Sequence, residues 1–291
     1  MRAFPPCDGV SHDFVDAGGL RTHVGSAGPA DGPVVVLLHG WPQHWWLWHQ
    51  VIGPLADAGY RVLAPDLRGF GWSEVTASGY DKEQFATDVL ALLDALGVAE
   101  CDLVGHDWGG WTAQLIALRA PERVRRLLLL NIPPVWSDAR RVGARAYKLL
   151  YQPTVGAPGL GPLVHRSPLL WFVMRRGGMP AASVAEFREA YREPDRAEAG
   201  SKVYRTFVTR ELPALLRGRY DGQRLSVPVR VLFGLDDIAI HRSLLDSFPD
   251  HADDVRITDV PDCGHFIVDE QPERVVTWLL LALAEGALSR G

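Results

Sequence analysis

An aspartate lies at the centre of a glycine-rich motif near the middle of the chain. An apolar run ends at Gly105, Asp107 follows two residues later, and Gly109 introduces a helical stretch. In such a strand–turn–helix motif, G-x-nucleophile-x-G, the turn lifts one side chain above a sheet, and glycines permit close packing around it. A carboxylate is already ionised at neutral pH, so it can attack a saturated carbon that bears a strained or good leaving group. Asp107 is therefore a candidate nucleophile for a two-step hydrolase with a covalent ester intermediate. Alone, the motif also fits an aspartate in an ordinary turn or at a helix N-cap.

Two further groups complete a candidate catalytic triad. Asp236 and Asp237 follow an apolar run of strand length, and His265 follows the next such run. An imidazole can take a proton from the water that cleaves the ester, and an acid can orient the ring. Asp237 is preferred to Asp236 because it lies three residues after Gly234. Asn131 ends the preceding apolar run and cannot serve as the acid.

The loop from His39 to Pro42 follows another apolar run and is predicted to complete the site. An oxyanion hole needs one backbone N–H from this loop and one from the residue after the nucleophile, which are Trp41 and Trp108. His39 is grouped with them as a residue for oxyanion or substrate binding. A cis Trp41–Pro42 bond is one way to set the loop's shape. An ordinary Gly-Pro turn is the alternative interpretation.

These residues require a sheet that gathers them at one edge. Ligands of an open α/β sheet bind at the carboxyl ends of its strands, and the candidate residues all follow apolar runs of strand length. The sequence predicts an α/β fold with a mostly parallel central sheet flanked by helices. Residues 133–224 are rich in Arg, Pro, Gly and aromatic residues and show helical stretches without a clear buried strand. They are interpreted as an inserted helical cap between core parts 1–132 and 225–291.

The strand expectations are a hairpin over residues 12–26 and strands over 33–38, 60–66, 101–105, 124–131, 227–234 and 255–258. The helix expectations are residues 81–97, residues 112–119 after the glycine-rich motif, and a last helix through Val275 and Leu283.

Composition narrows the function classes. The chain has 291 residues, a formal net charge of −5 and 47% hydrophobic residues, which suits one α/β domain or one domain with an insert. The slight acidity argues against a nucleic-acid surface. No apolar run reaches membrane-spanning length, and the start of the chain shows no signal-peptide core, so a cytoplasmic location is the default expectation. The three cysteines lack metal spacing, and no metal or organic cofactor is implied.

On these motifs the chain resembles the epoxide hydrolases of the α/β-hydrolase fold, the aspartate-nucleophile branch that is related to haloalkane dehalogenases. His39–Pro42 matches the H-G-x-P motif of that family, Gly105–Gly110 matches its elbow, and Asp237 and Gly264–Phe266 match its later motifs. The resemblance covers essentially the whole chain. It implies an enzyme that converts an epoxide to a vicinal diol through an Asp107 ester, which water activated by His265 then hydrolyses.

The resemblance also implies two cap tyrosines that donate hydrogen bonds to the epoxide oxygen. Tyr147 fits the first position of a Y-x-x-x-aromatic-Gln run, and Tyr204 directly precedes an arginine. A phenol can donate to a developing alkoxide and then protonate it, although each tyrosine alone would also suit packing. Tyr151 is the nearest alternative to Tyr147, and Tyr191 and Tyr220 are weaker ones.

A haloalkane or haloacid dehalogenase is the main competing function, because it would use the same triad. It needs N–H donors that hold a halide, and Trp108 is a candidate donor. A common dehalogenase subfamily has Asn where this chain has Trp41, and fluoroacetate-type enzymes have Arg where it has Trp108. A carboxylesterase would need a serine at position 107, and a non-catalytic member would usually have lost a triad residue.

The expected substrate is a small hydrophobic epoxide, with water as the second reactant, because the predicted cap is apolar. The sequence does not determine which epoxide or which stereoisomer. The oligomeric state stays open, with a homodimer among the options.

Overall fold

The computed structural model describes residues 2–136 and 150–285. Their centre is an eight-stranded sheet with the order β1-β2-β4-β3-β5-β6-β7-β8. The strands are β1 (Ser11–Ala17), β2 (Leu20–Ala27), β3 (Val34–Leu38), β4 (Arg61–Pro65), β5 (Cys101–His106), β6 (Val124–Leu130), β7 (Val229–Gly234) and β8 (Val255–Val260).

The sheet is antiparallel only at its first two pairings, β1 with β2 and β2 with β4. All pairings from β4 through β3, β5, β6 and β7 to β8 are parallel. Every residue of β5 and of β7 is buried, as expected for strands that helices cover on both faces. The predicted mostly parallel α/β architecture is therefore confirmed.

Twelve α-helices are seen in the described residues. Nine of them come before β7 in the chain: α1 (His49–Asp57), α2 (Lys82–Ala95), α3 (Trp108–Arg119), α4 (Gln152–Gly156), α5 (Leu160–Arg166), α6 (Pro168–Arg176), α7 (Ala181–Ala190), α8 (Pro194–Thr206) and α9 (Leu212–Leu215). Three follow β7: α10 (Phe248–His251), α11 (Ile267–Glu270) and α12 (Pro272–Ala284). A π-helical turn, Phe207–Glu211, joins α8 to α9, and 3-10 turns cover Trp45–Trp48, Pro121–Arg123 and Arg242–Ser247.

The helices of the core pack in pairs against the sheet. Contacts join α1 to α12 and α2 to α3. Helix α2 starts where the Asp81 carboxylate accepts a hydrogen bond from the N–H of Gln84, a standard N-cap. Its buried face carries Phe85, Val89 and Leu92 at helical spacing.

Helix α3 begins at Trp108, four residues earlier than the sequence predicted. Gly109 and Gly110 look like helix breakers in a sequence, because glycine weakens a helix interior. Here they lie inside the first turn, where a β-carbon at Gly109 would overlap the Leu38 carbonyl oxygen and one at Gly110 would approach Ile132 within 2.6 Å. The close packing of the elbow, rather than helix propensity, explains both glycines.

Helices α4 to α9 lie between β6 and β7 in the chain, and we call them the inserted helices. Helices α4, α5 and α8 contact one another. Their position in the chain is that of the predicted cap, while the division at residues 133 and 224 stays a prediction. Within residues 2–136 and 150–285, each helix is too short or too polar to cross a membrane.

Candidate active site

The elbow presents Asp107 in a strained backbone conformation. Its φ is 49° and its ψ is −126°, a combination that costs free energy for any residue with a side chain and that clusters at functional sites. The fold imposes it by packing strand β5 directly under helix α3. A β-carbon at Gly105 would come within 2.5 Å of the Gly110 Cα, so the turn tolerates no side chain there.

Two backbone N–H groups hold the Asp107 carboxylate. The N–H of Trp41 donates to Oδ2 at 2.9 Å, and the N–H of Trp108 also contacts the carboxylate. Gly40 allows this approach, because a β-carbon there would lie 2.6 Å from Oδ2. The Trp41–Pro42 peptide bond is cis, one of the two options considered from the sequence. The loop after β3 and the start of α3 therefore supply the two donors expected of an oxyanion hole.

The surroundings of Asp107 include groups that raise the pKa of its carboxyl and groups that lower it. Burial is the largest influence and raises the pKa of the carboxyl, because a charged group loses hydration. His265 and the two backbone N–H groups lower it, but burial outweighs them.

His265 lines the same cavity as Asp107 and forms a hydrogen-bonded pair with Asp237, which is not itself a lining residue. The Nδ1–H of His265 donates to Asp237 Oδ2 at 2.8 Å, which leaves Nε2 for the cavity. Burial opposes the charge of His265, but Asp237, Asp107 and Glu270 together raise the pKa of the imidazole to about 9. Asp237 follows β7 and is buried, whereas the neighbouring Asp236 is exposed. The geometry therefore supports Asp237 as the partner of His265.

Asn131 is a supporting residue whose role the sequence did not indicate. It follows β6 with a φ of 43°, and its Nδ2 donates to Asp237 Oδ2 at 2.8 Å and to the Gly264 carbonyl at 3.2 Å. Its Oδ1 accepts from the N–H of Gly234 at 3.1 Å. One amide thus links the carboxyl ends of β6 and β7 to the loop that carries His265.

Two more supporting residues hold the His265 loop. His106 donates from Nε2 to the His265 carbonyl at 2.8 Å, and burial lowers the pKa of His106 to about 3, so the ring stays neutral. Glu270 accepts from the N–H groups of Gly264 and Phe266 at 2.8 and 2.9 Å. His106 lies inside the elbow motif, which was a usable signal. No sequence motif indicated the role of Glu270, because its contacts with this loop depend on how the chain turns into α11.

His39 is fully buried and does not line the cavity. Its Nδ1 bonds to the Gly40 carbonyl at 2.9 Å, and its Nε2 accepts from the N–H of Leu67 at 3.0 Å. Burial lowers the pKa of the ring to about 4. Both ring nitrogens are therefore engaged with the backbone. The structure gives His39 a part in shaping the loop, which differs from the predicted part in substrate binding.

The cavity above Asp107 has a volume of about 490 Å³ and a mainly apolar lining. Tyr204 and Tyr151 both line it, and their hydroxyl oxygens are 3.4 Å apart. Loss of hydration raises the pKa of Tyr151 to about 12, although that side chain is 36% exposed, and raises the pKa of the buried Tyr204 well above its ordinary value. Both phenols therefore keep their protons at neutral pH, as hydrogen-bond donors must.

Of the other tyrosines considered, Tyr147 lies outside the described residues and its role stays a prediction. Tyr191 and Tyr220 are buried but do not line the cavity. The hydroxyl of Tyr220 donates to Glu83 at 2.6 Å.

The indole of Trp41 is held by the inserted helices. Its Nε1–H donates to His165 Nε2 at 2.9 Å, and His165 Nδ1 bonds to the Gly161 carbonyl at 2.8 Å. The Trp41 ring also meets the Tyr204 ring edge to face, with 4.9 Å between centroids. Because its N–H is already bonded, the Trp41 indole does not offer a donor to a leaving group.

Lys82 supports Trp108 from the side of the core. Its ammonium lies 4.3 Å from the centre of the Trp108 indole and pairs with Glu211. The backbone N–H of Lys82 donates to Glu211 at 2.9 Å. Glu211 ends the π-helical turn after α8, the helix that carries Tyr204. The pair therefore fastens the end of α8 to the core beside the elbow.

Comparison with known proteins gives consistent matches along the chain. A family model described as the alpha/beta hydrolase fold matches residues 33–272. The AB hydrolase superfamily protein YfhM of Bacillus subtilis (strain 168) is 30% identical, with 94% of this chain and 98% of that protein covered. The soluble epoxide hydrolase of Corynebacterium sp. (strain C12) is 29% identical, with 92% and 95% covered. The solved structure of epoxide hydrolase CorEH without ligand is 31% identical and has a TM-score of 0.80, with 95% of this chain and 99% of that chain covered.

Proposed function

The chain belongs to the α/β-hydrolase fold family and is a hydrolase, and on this premise we propose that it converts a hydrophobic epoxide to a vicinal diol. One observation carries the proposal: Asp107, His265 and Tyr204 line one apolar cavity, and His265 is hydrogen-bonded to Asp237. A carboxylate in place of serine at the elbow is suited to attack on a saturated carbon. A phenol can donate a hydrogen bond to the epoxide oxygen as the ring opens. The resemblance to the Corynebacterium enzyme supports the same activity.

In the first step, an oxygen of Asp107 attacks one carbon of the epoxide ring. The C–O bond to the epoxide oxygen breaks, and its electron pair becomes an alkoxide. Tyr204 donates a hydrogen bond to that oxygen as charge develops, together with a second cavity phenol, and one of the two phenols then transfers its proton to the alkoxide and becomes a phenolate. Tyr147 is the predicted second donor, and Tyr151 is the candidate that lies beside Tyr204. Donors placed where charge develops lower the barrier because they need no reorganisation.

In the second step, water cleaves the ester. His265 Nε2 takes a proton from the water, which attacks the Asp107 carbonyl carbon. The oxyanion that forms is stabilised by the N–H groups of Trp41 and Trp108. When it collapses, the bond from the carbonyl carbon to the substrate oxygen breaks, and that oxygen takes the proton held by His265 to complete the diol. The proton left on the Asp107 carboxyl returns to the phenolate, which restores the starting carboxylate and phenol. Esterification removes the negative charge of Asp107, one of the three carboxylate charges that raise the pKa of His265. The imidazole therefore loses protons more easily once the ester exists, when a neutral base is required.

Dehalogenation is the competing reaction on the same triad. The Trp41 indole donates to His165 rather than into the cavity, whereas phenols line the cavity where an epoxide oxygen would lie. The Trp108 indole, the halide donor considered from the sequence, lines the same cavity, so the phenols are the feature that favours an epoxide over a haloalkane.

The test is a product assay on styrene oxide and 1-bromobutane, followed by trapping of the intermediate. We expect diol from styrene oxide and no bromide from 1-bromobutane. His265→Gln should stop at the ester, and intact-protein mass spectrometry should show an increase equal to one molecule of styrene oxide. Asp107→Asn in the same experiment is the matched control and should show no increase. Bromide release without diol, or full turnover by His265→Gln, would contradict the proposal.

A further inference from the structure

Exposed large apolar side chains are concentrated in one part of the described residues. Ten of eleven lie between residues 150 and 238, and the other is Leu281 on α12. Monomeric proteins rarely expose contiguous apolar patches, and such patches mark contacts with a protein or a membrane. Six of these side chains, from α5, α6 and the loop after β7, are here called the mouth surface: Leu160, Leu163, Leu169, Phe172, Val173 and Ile238.

Helix α6 is apolar on two faces. Leu170, Trp171 and Met174 are buried, so one face packs against the protein. Leu169 and Phe172 are spaced three residues apart on the other face and are 70% and 57% exposed. A helix that is apolar all round normally has partners on all sides. The outer face of α6 therefore lacks a partner of its own among the described residues.

The mouth surface is continuous with the cavity. Leu169, Val173 and Ile238 line the cavity and are also exposed. Ile238 reaches the end of α6, because a β-carbon at Gly177 would overlap its Cδ1 atom. The opening to the proposed active site therefore lies within an exposed apolar patch.

The charged side chains of the segment that carries α5 and α6 have one sign, whereas the exposed Asp236 lies two residues before Ile238. Residues 139–185 contain no Asp or Glu, although the chain has a net charge of −5. Arg166, Arg175 and Arg176 are exposed beside the patch, and none of them pairs with a carboxylate of the described residues. Apolar side chains combined with unpaired cations are typical of surfaces that lie on anionic lipid.

We propose that the mouth surface docks on an anionic lipid bilayer, with the leucines and Phe172 in the interface and Arg175 and Arg176 against lipid phosphates. A second copy of the chain fits less well, because a symmetric contact would set these arginines against one another. The sequence predicted no membrane partner because no apolar run spans a bilayer, but a peripheral contact needs no span. The inference goes beyond the proposed function. Docking would let a substrate dissolved in lipid enter the cavity directly.

The test is sedimentation with vesicles of phosphatidylcholine, with and without phosphatidylglycerol. We expect the protein to sediment with the phosphatidylglycerol vesicles at low salt and to be released by added salt, since salt screens exposed charges. Leu163→Ser combined with Phe172→Ser should lower the bound fraction about tenfold or more. Arg175→Gln combined with Arg176→Gln should do the same. None of these four residues lines the cavity.

Matched controls change the same residue types elsewhere. Leu281→Ser removes an exposed leucine from α12, and Arg256→Gln with Arg274→Gln removes two exposed arginines; both should bind as the wild type does. Absence of sedimentation, or equal loss in patch and control variants, would overturn the proposal. So would a dimer in size-exclusion chromatography that Leu163→Ser with Phe172→Ser dissociates without any vesicle binding. Vesicle binding requires no turnover, so its failure is distinct from failure of epoxide hydrolysis.

Discussion

At the scale of single residues, the phenol of Tyr204 gives the sharpest test of the chemistry. It lines the cavity, and its oxygen is 3.4 Å from that of Tyr151. Tyr204→Phe keeps the ring and its contact with Trp41 but removes the proton donor. We expect kcat/KM for styrene oxide to fall about 100-fold, since a positioned acid contributes roughly that much or more. The measurement is steady-state diol formation.

Tyr191→Phe is the matched control for this prediction. Tyr191 is buried, does not line the cavity, and its hydroxyl has no hydrogen-bond partner among the described residues. We expect its activity to equal that of the wild type. Equal losses in the Tyr204 and Tyr191 variants would show that the effect is packing. Tyr151→Phe and Tyr147→Phe, assayed in the same way, would identify the second donor.

At the scale of elements, the ends of β6, β7 and β8 must stay in register for the triad to form. Asn131 joins them through Asp237, Gly234 and Gly264. Asn131→Gly removes the amide and keeps a residue that tolerates the φ of 43°. We expect the free energy of unfolding to fall by about 1–3 kcal/mol, since buried polar groups lose their partners. Urea unfolding measures this change.

The same variant should also lose activity through Asp237. With one donor gone, Asp237 orients His265 less firmly, so we expect a drop in kcat with little change in KM. A fall in stability with kcat unchanged would mean that Asn131 supports the sheet alone and does not position the triad.

The sequence could predict the site residues that lie at the ends of strands, but not the contacts that join distant parts of the chain. The elbow, the acid and the histidine each follow an apolar run directly, so short-range pattern and chain order sufficed to propose Asp107, Asp237 and His265. The contacts of Asn131 with Asp237 and of Lys82 with Glu211 join residues 106 and 129 positions apart. No local pattern carries such contacts. His39 is the opposite example: its motif suggested a part in substrate binding, but its ring forms hydrogen bonds with the backbone of Gly40 and Leu67.

At the scale of the whole molecule, Asp269 connects the core to the inserted helices. It lies in α11, accepts from Gln43 Nε2 in the loop after β3 at 2.8 Å, and accepts from Ser183 Oγ in α7 at 2.6 Å. Burial raises the pKa of this carboxyl to about 7. The junction therefore contains a group that changes charge near neutral pH.

The raised pKa fixes the sign of a pH effect on stability. In the unfolded chain the carboxyl titrates near its ordinary value of 3.8, and in the folded protein near 7. The stability that it contributes is fully present below the unfolded pKa and is lost as the pH rises to about 7. The difference between the folded and unfolded pKa values of Asp269 corresponds to about 4 kcal/mol of folding free energy, at about 1.4 kcal/mol for each pKa unit.

Asp269→Asn should abolish this part of the pH dependence. An amide cannot ionise, its oxygen can still accept from Ser183, and its N–H can donate to Gln43 Oε1, which has no partner among the described residues. We expect the thermal unfolding midpoints of variant and wild type to agree near pH 4 and the variant to be the more stable above pH 7. Asp236→Asn, a change at an exposed carboxyl, should follow the wild type throughout. An equal fall of the midpoint at every pH in Asp269→Asn would contradict this prediction. It would mean that the carboxylate stabilises the contact between core and inserted helices in its ionised form.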